Sequence, residues 1–384
     1  MRENKSKASN ANGACDYIEL ATTGVKGLHP YQPGKPVEEL ERELGITNIV
    51  KLASNENPLG PSALAAAAVQ KVFVDGARYP DGNGFVLKQA LSDYLKVEMN
   101  TLTLGNGSND VLDLITRAYA GPGDDVIYSQ YAFAVYALST QAVGANAVVT
   151  PAKDWGHDLD AMRAAVTEQT RLIFIANPNN PTGTWLSAGV IRRFLERIPE
   201  RVVVVLDEAY CEYIDNADYP DGVSLLGDFS NLVVTRTFSK AWGLASLRVG
   251  YAVSNPVIAD ILNRVRHPFN VNSPALAAAA AVLSDGDYLA KGKKLNQEGL
   301  AQVEAGLIAL GLSYIPSVGN FICFDTGRDG SEVYQALLHQ GVIVRPLGAY
   351  GMPSHLRVSI GTADENQRFL NALAHVNATQ PSAK

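Results

Sequence analysis

Short apolar runs rich in β-branched residues alternate with stretches of helical periodicity from about residue 100 onward. The run from Val202 to Leu206 is the plainest, because it shows no alternation between apolar and polar positions. Such a strand is apolar on both faces, which is typical of a mostly parallel sheet covered by helices on both sides. The predicted strands of this region are 125–129, 147–150, 171–176, 202–206, 232–235 and 249–253. The centre of the chain is therefore predicted to be α/β.

The C-terminal part of the chain follows another pattern, with a long helix first and short strands after it. Apolar runs predict strands at 321–324, 342–344 and 356–360, and periodicity predicts helices over 286–310, over 331–340 and at the end of the chain. Near the N-terminus, a short amphipathic helix is predicted over 37–44. We expect a large domain (61–285) with a mostly parallel sheet flanked by helices. We expect a smaller α+β domain built from the N-terminal segment (1–60) and the C-terminal segment (286–384).

Length and composition restrict the class of protein. Of the 384 residues, 47% are hydrophobic and 18% are charged, which provides a large core and excludes a disordered or fibrous chain. The formal net charge of −7 argues against a general attraction to nucleic acid or anionic lipid. No run approaches the ~20 apolar residues that a membrane span needs. We therefore expect neither a nucleic-acid partner nor a membrane association.

The cysteines and histidines lack the spacing of metal or disulfide sites. Cys15, Cys211 and Cys323 are scattered without a CxxC motif, and none of the six histidines forms an HxxxH or HExxH motif. The N-terminal residues are polar and lack the apolar segment of a signal peptide. These features predict a cytoplasmic protein without a metal site.

Polar residues follow the buried strand 202–206 directly. Asp207 and Tyr210 stand where ligands bind in open α/β sheets, at the carboxyl ends of the strands. A solvated strand end is the alternative interpretation of the same residues.

A lysine with unusual neighbours follows the strand 232–235. Thr237, Ser239 and Lys240 come next in the chain, and Arg248 lies eight residues further on. Hydroxyl groups and a guanidinium suit a phosphate, and a lysine in a partly desolvated pocket can form a Schiff base. An ordinary surface lysine is the alternative.

Two loops rich in glycine, asparagine or proline have the character of ligand loops. Gly105 to Asp110 precede a helix, whose N-terminal N–H groups can bind an anion. An ordinary turn capped by Ser108 or Asn109 is the alternative, and a P-loop is excluded because no GK[ST] follows. The loop from Asn177 to Gly183 follows another buried strand and is either a ligand loop or a rigid connection.

Taken together, these sites resemble the fold type I pyridoxal-phosphate aminotransferases, and within them the histidinol-phosphate aminotransferases. The resemblance covers nearly the whole chain. It rests on seven motifs in the family's order and approximate spacing: His29-Pro30-Tyr31, Asn55-Glu56-Asn57-Pro58, Arg78-Tyr79-Pro80-Asp81-Gly82, Pro178-Asn179-Asn180-Pro181-Thr182-Gly183, Asp207-Glu208-Ala209-Tyr210, the segment from Phe238 to Tyr251, and Leu356-Arg357-Val358-Ser359-Ile360-Gly361.

The resemblance implies pyridoxal 5'-phosphate as cofactor and a role for each matching residue. Lys240 would bind the cofactor covalently and then move the substrate's α-proton. Asp207 would pair with the ring nitrogen, and Tyr210 and Asn180 would hydrogen-bond the phenolic oxygen. The residues implied to hold the phosphate are Gly107, Ser108, Asn109, Thr237, Ser239 and Arg248.

The family also implies an aromatic residue stacked on the cofactor ring, three positions before a second tyrosine. With Tyr136 as that tyrosine, Phe133 takes the position, and Tyr131 is the second candidate. One departure from the family pattern is Ser246, where relatives commonly have glycine. It concerns only the backbone approach near Arg248.

The substrate site is implied to include two arginines and residues of a second subunit. Arg357 occupies the position that grips a substrate carboxylate, Arg345 adds a second cation, and Asn55 is a further substrate contact. A pair of guanidinium groups can serve a phosphate and a carboxylate in alternate half-reactions. Tyr31, as a substrate contact, and Tyr79, as a cofactor contact, resemble tyrosines that reach the neighbouring subunit's site, which implies a homodimer.

The expected reaction is transamination between histidinol phosphate and 2-oxoglutarate. An aromatic amino acid aminotransferase is the close alternative, because imidazole and phenyl side chains need similar flat pockets. A threonine-phosphate decarboxylase, which is a lyase, has a family pattern much like this one. A pyridoxal-phosphate-sensing regulator is disfavoured, because the chain has no DNA-binding segment before the α/β region and its charge balance is acidic.

Overall fold

A computed structural model of the chain describes residues 15–30 and 33–379. The strands in these residues are β1 (Val50–Lys51), β2 (Leu102–Gly105), β3 (Asp125–Ser129), β4 (Asn146–Thr150), β5 (Ala152–Lys153), β6 (Gly156–His157), β7 (Thr170–Ala176), β8 (Val203–Asp207), β9 (Leu232–Thr237), β10 (Gly250–Ser254), β11 (Tyr314–Ile315), β12 (Phe321–Asp325), β13 (Val342–Ile343), β14 (Arg345–Pro346) and β15 (His355–Ser359). The α-helices are α1 (Tyr17–Leu20), α2 (Thr23–Lys26), α3 (Val37–Leu44), α4 (Ala63–Val72), α5 (Phe85–Leu95), α6 (Ser108–Tyr119), α7 (Ala134–Ala142), α8 (Leu159–Ala164), α9 (Ala188–Leu195), α10 (Gly222–Leu225), α11 (Pro256–Val265), α12 (Ser273–Val282), α13 (Gly286–Ala309), α14 (Gly330–His339) and α15 (Ala363–Thr379).

Seven strands form the central sheet, in the order β2-β10-β9-β8-β7-β3-β4. Only β10 runs antiparallel to its neighbours, so the prediction of a mostly parallel sheet is confirmed. All six predicted strands are present, with ends that differ by at most two residues. Strand β2 was not predicted, because its four residues end in the glycine-rich segment that was interpreted as a turn.

Both faces of the sheet are buried, as the unalternated strand predicted. In β8, Val204 and Leu206 pack in the hydrophobic cluster on one face, whereas Val203 and Val205 pack in the cluster on the other. Successive side chains of a strand point to opposite faces, so this strand needs apolar residues throughout. The transition to polar residues at Asp207 therefore marks the end of the buried layer.

The register of the parallel strands brings their carboxyl ends to one edge. Ala176 of β7 lies opposite Asp207 of β8, which in turn lies opposite Thr235 of β9. Each of the three strands then continues into a polar loop. The edge of the sheet therefore collects residues that are far apart in the chain.

A second, four-stranded sheet in the order β11-β12-β15-β14 is antiparallel throughout. The N-terminal strand β1 pairs with β13 in a separate two-stranded sheet, so an N-terminal segment packs with the C-terminal residues. The strand predicted at 342–344 is present as β13, which pairs with β1, and the short strand β14 that follows it pairs with β15. The chain changes partner at Val344, between the two strands. The domain boundaries near residues 60 and 285 stay a prediction.

Two kinds of feature are absent from the described residues. No helix there combines the length and apolar character that crossing a bilayer requires. No group of three or more His, Cys, Asp or Glu side chains in the same residues is arranged to hold a metal ion.

Two neighbouring residues on α13 provide a matched test of the hydrophobic cluster that α13 and α15 form with the four-stranded sheet. Leu307 is fully buried against α15, whereas Ile308 is 64% exposed. We expect Leu307→Ala to lower the free energy of unfolding by ~2–5 kcal/mol, because it leaves a cavity. Ile308→Ala should change it by less than about 0.5 kcal/mol. Urea unfolding followed by circular dichroism measures both, and equal effects would contradict the packing described here.

Candidate functional site

A cavity of about 180 Å³ lies at the carboxyl ends of β7, β8 and β9. Every predicted site residue that the structure describes lines this cavity, except Gly107 and Tyr79. The lining residues are Gly34, Ala53, Ser54, Asn55, Ser108, Asn109, Phe133, Ala176, Pro178, Asn180, Asp207, Ala209, Tyr210, Thr237, Ser239, Lys240, Arg248, Arg345 and Arg357. The structure therefore brings the separate sequence motifs together in one place.

Lys240 is partly enclosed on the loop after β9. Its Nζ donates a hydrogen bond to the carbonyl oxygen of Ser54 at 2.9 Å and lies 5.8 Å from the centre of the Tyr210 ring. Burial, together with the nearby Arg357 and Arg248 guanidinium groups, lowers the pKa of Lys240 to about 7, while Glu56 opposes these effects. A large fraction of this amine is therefore neutral, and nucleophilic, near pH 7. Sequence reasoning missed Ser54, because its contribution is a backbone atom.

A cup of donors suited to a phosphate lies at the N-terminus of α6. Gly107 precedes the helix with φ +80°, and a Cβ atom there would lie 2.3 Å from Nη2 of Arg248. Arg248 Nη1 donates to Ser239 Oγ at 3.1 Å. Helix N–H groups, hydroxyls and a guanidinium match the oxygens of a phosphate dianion. Ser246 is exposed, so its replacement of the family's glycine leaves the Arg248 contact intact.

Asn109 and Thr237 also line the cavity near this cup. Thr237 Oγ1 accepts a hydrogen bond from the Ser239 backbone N–H at 3.1 Å. This bond fixes the first turn of the loop that carries Lys240. The loop thus holds its hydroxyl groups and its lysine in one conformation.

Asp207 is a buried carboxylate, 4% exposed, held by two hydroxyl groups. Tyr136 donates to Oδ2 at 2.8 Å and Thr235 donates to Oδ1 at 2.9 Å. Burial raises the pKa of Asp207, and these two hydrogen bonds lower it. No described residue forms an ion pair with this carboxylate. A cationic group of a ligand, such as a protonated pyridine nitrogen, would satisfy it.

Both hydroxyl donors were missed by sequence reasoning as site residues. Thr235 lies two positions before Thr237 in β9, so both side chains point to the same face of the strand. Tyr136 lies one helical turn after Phe133, which places the two rings on one side of α7. A polar residue two positions from a candidate on a strand, or three positions from a candidate on a helix, is the sequence signal that could have identified Thr235 and Tyr136.

Tyr210 and Asn180 each retain a donor after their contacts with the protein. The Tyr210 hydroxyl accepts from Asn55 Nδ2 at 2.9 Å, and burial raises the pKa of Tyr210 to about 12. It therefore keeps its proton at neutral pH. Asn180 Oδ1 accepts from Arg357 Nη1 at 2.5 Å, which leaves the amide nitrogen as a donor.

Of the two aromatic candidates for ring stacking, only Phe133 lines the cavity. Its ring contacts Tyr136 edge-on, with centroids 5.9 Å apart. Tyr131 instead packs against Trp155 at 5.4 Å, and its carbonyl oxygen accepts from Asn179. The geometry thus favours Phe133 over Tyr131.

Arg345 and Arg357 are direct cross-strand partners in β14 and β15, and both line the cavity. Arg357 donates from Nη2 to the carbonyl oxygen of Ala53 at 2.7 Å. Its buried Nε makes no hydrogen bond with any described residue. Like charges directly opposite on adjacent strands are destabilising. This pair therefore indicates a site for an anionic ligand.

Of the two tyrosines expected to reach a neighbouring subunit's site, only Tyr79 is described, and it lies away from this cavity. Tyr31 is outside the described residues. Tyr79 is 82% exposed and stacks on Phe269 with ring centroids 4.8 Å apart. It does not reach the cavity of its own chain, so any contact with a cofactor would require a second subunit.

The sequence matches the family described as "Aminotransferase class I and II" over residues 47–373. It is 59% identical over 365 residues to histidinol-phosphate aminotransferase 2 of Pseudomonas fluorescens strain Pf0-1, covering 94% of this chain and 99% of that protein. It is 56% identical over 360 residues to histidinol-phosphate aminotransferase 1 of Nitrosococcus oceani, covering 94% and 97%.

Solved structures show the same similarity. The fold matches histidinol-phosphate aminotransferase of Sinorhizobium meliloti, crystallised in complex with pyridoxal-5'-phosphate, with a TM-score of 0.86, 30% identity, and 93% and 97% of the two chains covered. It also matches aspartate aminotransferase of Thermus thermophilus with a TM-score of 0.81 and 21% identity, covering 92% and 99%. The second likeness concerns the fold alone.

The low pKa of Lys240 has a measurable consequence in the ligand-free protein. Below pH 7 the amine is mostly protonated and unreactive, so the rate of its reductive methylation by formaldehyde should rise through about pH 7. Replacing Arg357 with leucine removes a nearby cation, and the midpoint should move to higher pH. Peptide mass spectrometry measures the rates. Arg192→Leu on the surface of α9 is the control and should leave the midpoint unchanged. A midpoint near the ordinary lysine value of about 10 would contradict the burial of Lys240.

Proposed function

Because this chain belongs to the class I and II aminotransferase family, we propose that its cavity is where pyridoxal 5'-phosphate binds and amino groups are transferred. The chain is a pyridoxal-phosphate-dependent aminotransferase of fold type I. The observation that carries the placement is the buried Lys240 amine between a phosphate cup and the buried Asp207 carboxylate. These are the three chemical partners that the aldehyde, the phosphate and the ring nitrogen of the cofactor require.

Each cavity wall fits one part of the cofactor. Asp207 would pair with the ring nitrogen, Phe133 would cover the ring face, and Tyr210 and Asn180 would donate to the phenolic oxygen. The residues that would hold the phosphate are Gly107, Ser108, Asn109, Thr237, Ser239 and Arg248. When bound, the cofactor supplies an electron-withdrawing ring that stabilises negative charge on the substrate's α-carbon. The donors of the cup would anchor the cofactor while its other end reacts.

Lys240 would also move the proton at the substrate's α-carbon. Its Nζ atom lies in the same cavity as the two arginines that would hold the substrate. A neutral amine near pH 7 can accept that proton and return it, which matches a general base to the operating pH. The Ser54 carbonyl oxygen offers Nζ a fixed hydrogen-bond acceptor on one side.

We propose histidinol phosphate as amino donor and 2-oxoglutarate as acceptor, a step of histidine biosynthesis. The paired guanidinium groups of Arg345 and Arg357 support substrates with an anionic group, and Asn55 lines the same cavity. A phosphate in one half-reaction and a carboxylate in the other would use the same donors. Relatives at up to 59% identity carry the name of this activity.

We also propose a homodimer with shared active sites. The segment 73–86 carries several exposed apolar side chains, namely Phe73, Val74, Tyr79, Phe85 and Val86. Exposed apolar clusters of this kind mark protein interfaces. A second copy that covers this segment would bring Tyr79 towards its partner's cavity, in line with the role expected for Tyr79 and Tyr31.

The compartment we propose is the cytoplasm. Cys15, Cys211 and Cys323 are all free thiols, and Cys323 is buried in the smaller core. Free cysteines are the ordinary state in a reducing compartment.

The substrate proposal predicts a preference for the phosphorylated donor. Histidinol phosphate should exceed histidinol by roughly 10²-fold or more in kcat/KM, because histidinol lacks the phosphate that would form charge-assisted hydrogen bonds with the guanidinium groups. Arg357→Ala should weaken both half-reactions, whereas Arg345→Ala should affect histidinol phosphate more than phenylalanine. Arg192→Ala is the control. If phenylalanine or tyrosine exceeds histidinol phosphate, the enzyme is an aromatic aminotransferase; release of CO₂ without a keto product would indicate a lyase.

The dimer proposal predicts complementation between two inactive variants. In a heterodimer of Tyr79→Ala and Lys240→Ala subunits, one site would combine Lys240 of the first subunit with Tyr79 of the second. Cofactor affinity and activity should therefore return in about one site per dimer. Co-expressed, doubly tagged heterodimers are titrated with pyridoxal 5'-phosphate and assayed for activity, and each homodimer is measured in the same way. Activity no higher than that of the Tyr79→Ala homodimer would mean that Tyr79 does not act across the interface.

A further inference from the structure

The carboxylate of Asp207 is held between the helix α7 and the strand β9. Tyr136 reaches it from α7, and Thr235 reaches it from the neighbouring strand β9. All three side chains are buried. One hydroxyl occupies each carboxylate oxygen, so the plane of the carboxylate is fixed from both sides.

We propose that Tyr136 and Thr235 are positioning residues that hold the Asp207 carboxylate in the orientation that pairs with the ring nitrogen of the cofactor. The inference rests on the role proposed above for Asp207. Neither residue lines the cavity, so both act through Asp207 and not by contact with the cofactor.

The hydrogen bond to Asp207 explains why a hydroxyl group is buried at position 136. The ring lies in an apolar cluster, stacked on Phe174 with centroids 4.6 Å apart and planes 6° apart. Phenylalanine would fill this volume equally well, and burying a hydroxyl is unfavourable unless it forms a hydrogen bond. Among the described residues, its acceptor is Asp207. The hydroxyl is therefore explained by the carboxylate.

Tyr136 also contacts the other proposed cofactor residue. Phe133, which would cover the ring face, packs edge-on against it. One rigid side chain thus links the group that would meet the edge of the cofactor ring to the group that would meet its face. Burial and the adjacent Asp207 raise the pKa of Tyr136 well above its usual value, so its hydroxyl remains a donor.

The two hydrogen bonds act on charge as well as orientation. Burial raises the pKa of Asp207, and bonds donated to the carboxylate favour its ionised form. Removing either hydroxyl raises the pKa of Asp207 further. The carboxylate then protonates at a higher pH than in the native protein and stops balancing a protonated ring nitrogen.

The test is cofactor binding to the apoprotein, measured with two probes. The first is pyridoxal 5'-phosphate, and the second is its carbocyclic analogue with a C–H group in place of the ring nitrogen. The variants are Tyr136→Phe, Thr235→Val and Asp207→Asn. Tyr128→Phe is the matched control, because this buried tyrosine neighbours Tyr136 without contacting Asp207.

We expect Tyr136→Phe and Thr235→Val each to weaken pyridoxal-phosphate binding roughly tenfold, the effect of losing a hydrogen bond to a charged group. Binding of the analogue should change less than about twofold, because it offers Asp207 no nitrogen. The loss of affinity should grow as the pH falls. The fall in pyridoxal-phosphate affinity on the acidic side should occur at a higher pH in these variants than in the native protein. Thr235→Ser, which keeps the hydroxyl, should restore native binding.

Equal weakening of both probes by Tyr136→Phe and Thr235→Val would show a merely structural role and overturn the proposal. If Asp207→Asn weakens the binding of pyridoxal phosphate more than that of the analogue and these two variants do not, the positioning role alone fails. If Asp207→Asn binds both probes with the native ratio, the proposed role of Asp207 itself fails. Should Tyr136→Phe not fold, the Thr235→Val and Thr235→Ser pair decides between these outcomes.

Discussion

The in-register pairing of β7, β8 and β9 is the constraint on which the rest of the site depends. It sets Ala176, Asp207 and Thr235 side by side at one edge of the sheet. The hydrogen bond from Thr235 to Asp207 crosses directly from strand to strand. A shift of one residue in any of these pairings would turn Asp207 to the opposite face and break the clamp. Burial on both faces prevents that shift, since every side chain of β8 is enclosed.

Charge in the cavity follows from that placement. The chain is acidic overall, yet Lys240, Arg248, Arg345 and Arg357 all line one small cavity with a single carboxylate, Asp207. Two of these cations, Arg248 and Arg357, also lower the pKa of Lys240. Anion binding and amine reactivity are therefore two consequences of one arrangement. The segment from Ser54 to Asn55 joins the two sheets at this point, contacting Lys240, Tyr210 and Ser359.

Sequence patterns predicted what depends on local periodicity and not what depends on distant partners. The unalternated run of β8 predicted a buried parallel strand, and the polar residues after β8 and β9 do line the cavity. Strand β2 was missed because its residues lead into a glycine-rich segment that was interpreted as a turn. Tyr136 was recognised only as a spacing marker, because its partner Asp207 lies 71 residues away. The place of Tyr79 could not follow from one chain, since its side chain is exposed and does not line its own cavity.

Covalent trapping of the cofactor tests the central claim most directly, namely that the buried amine of Lys240 is the attachment point. The holoprotein is reduced with borohydride, digested and mapped by mass spectrometry. We expect a single pyridoxyl-phosphate-labelled peptide that contains Lys240, and no labelled peptide in the Lys240→Ala variant. Label on any other lysine, such as Lys51, whose side chain pairs with Glu56 near the cavity, would contradict the assignment.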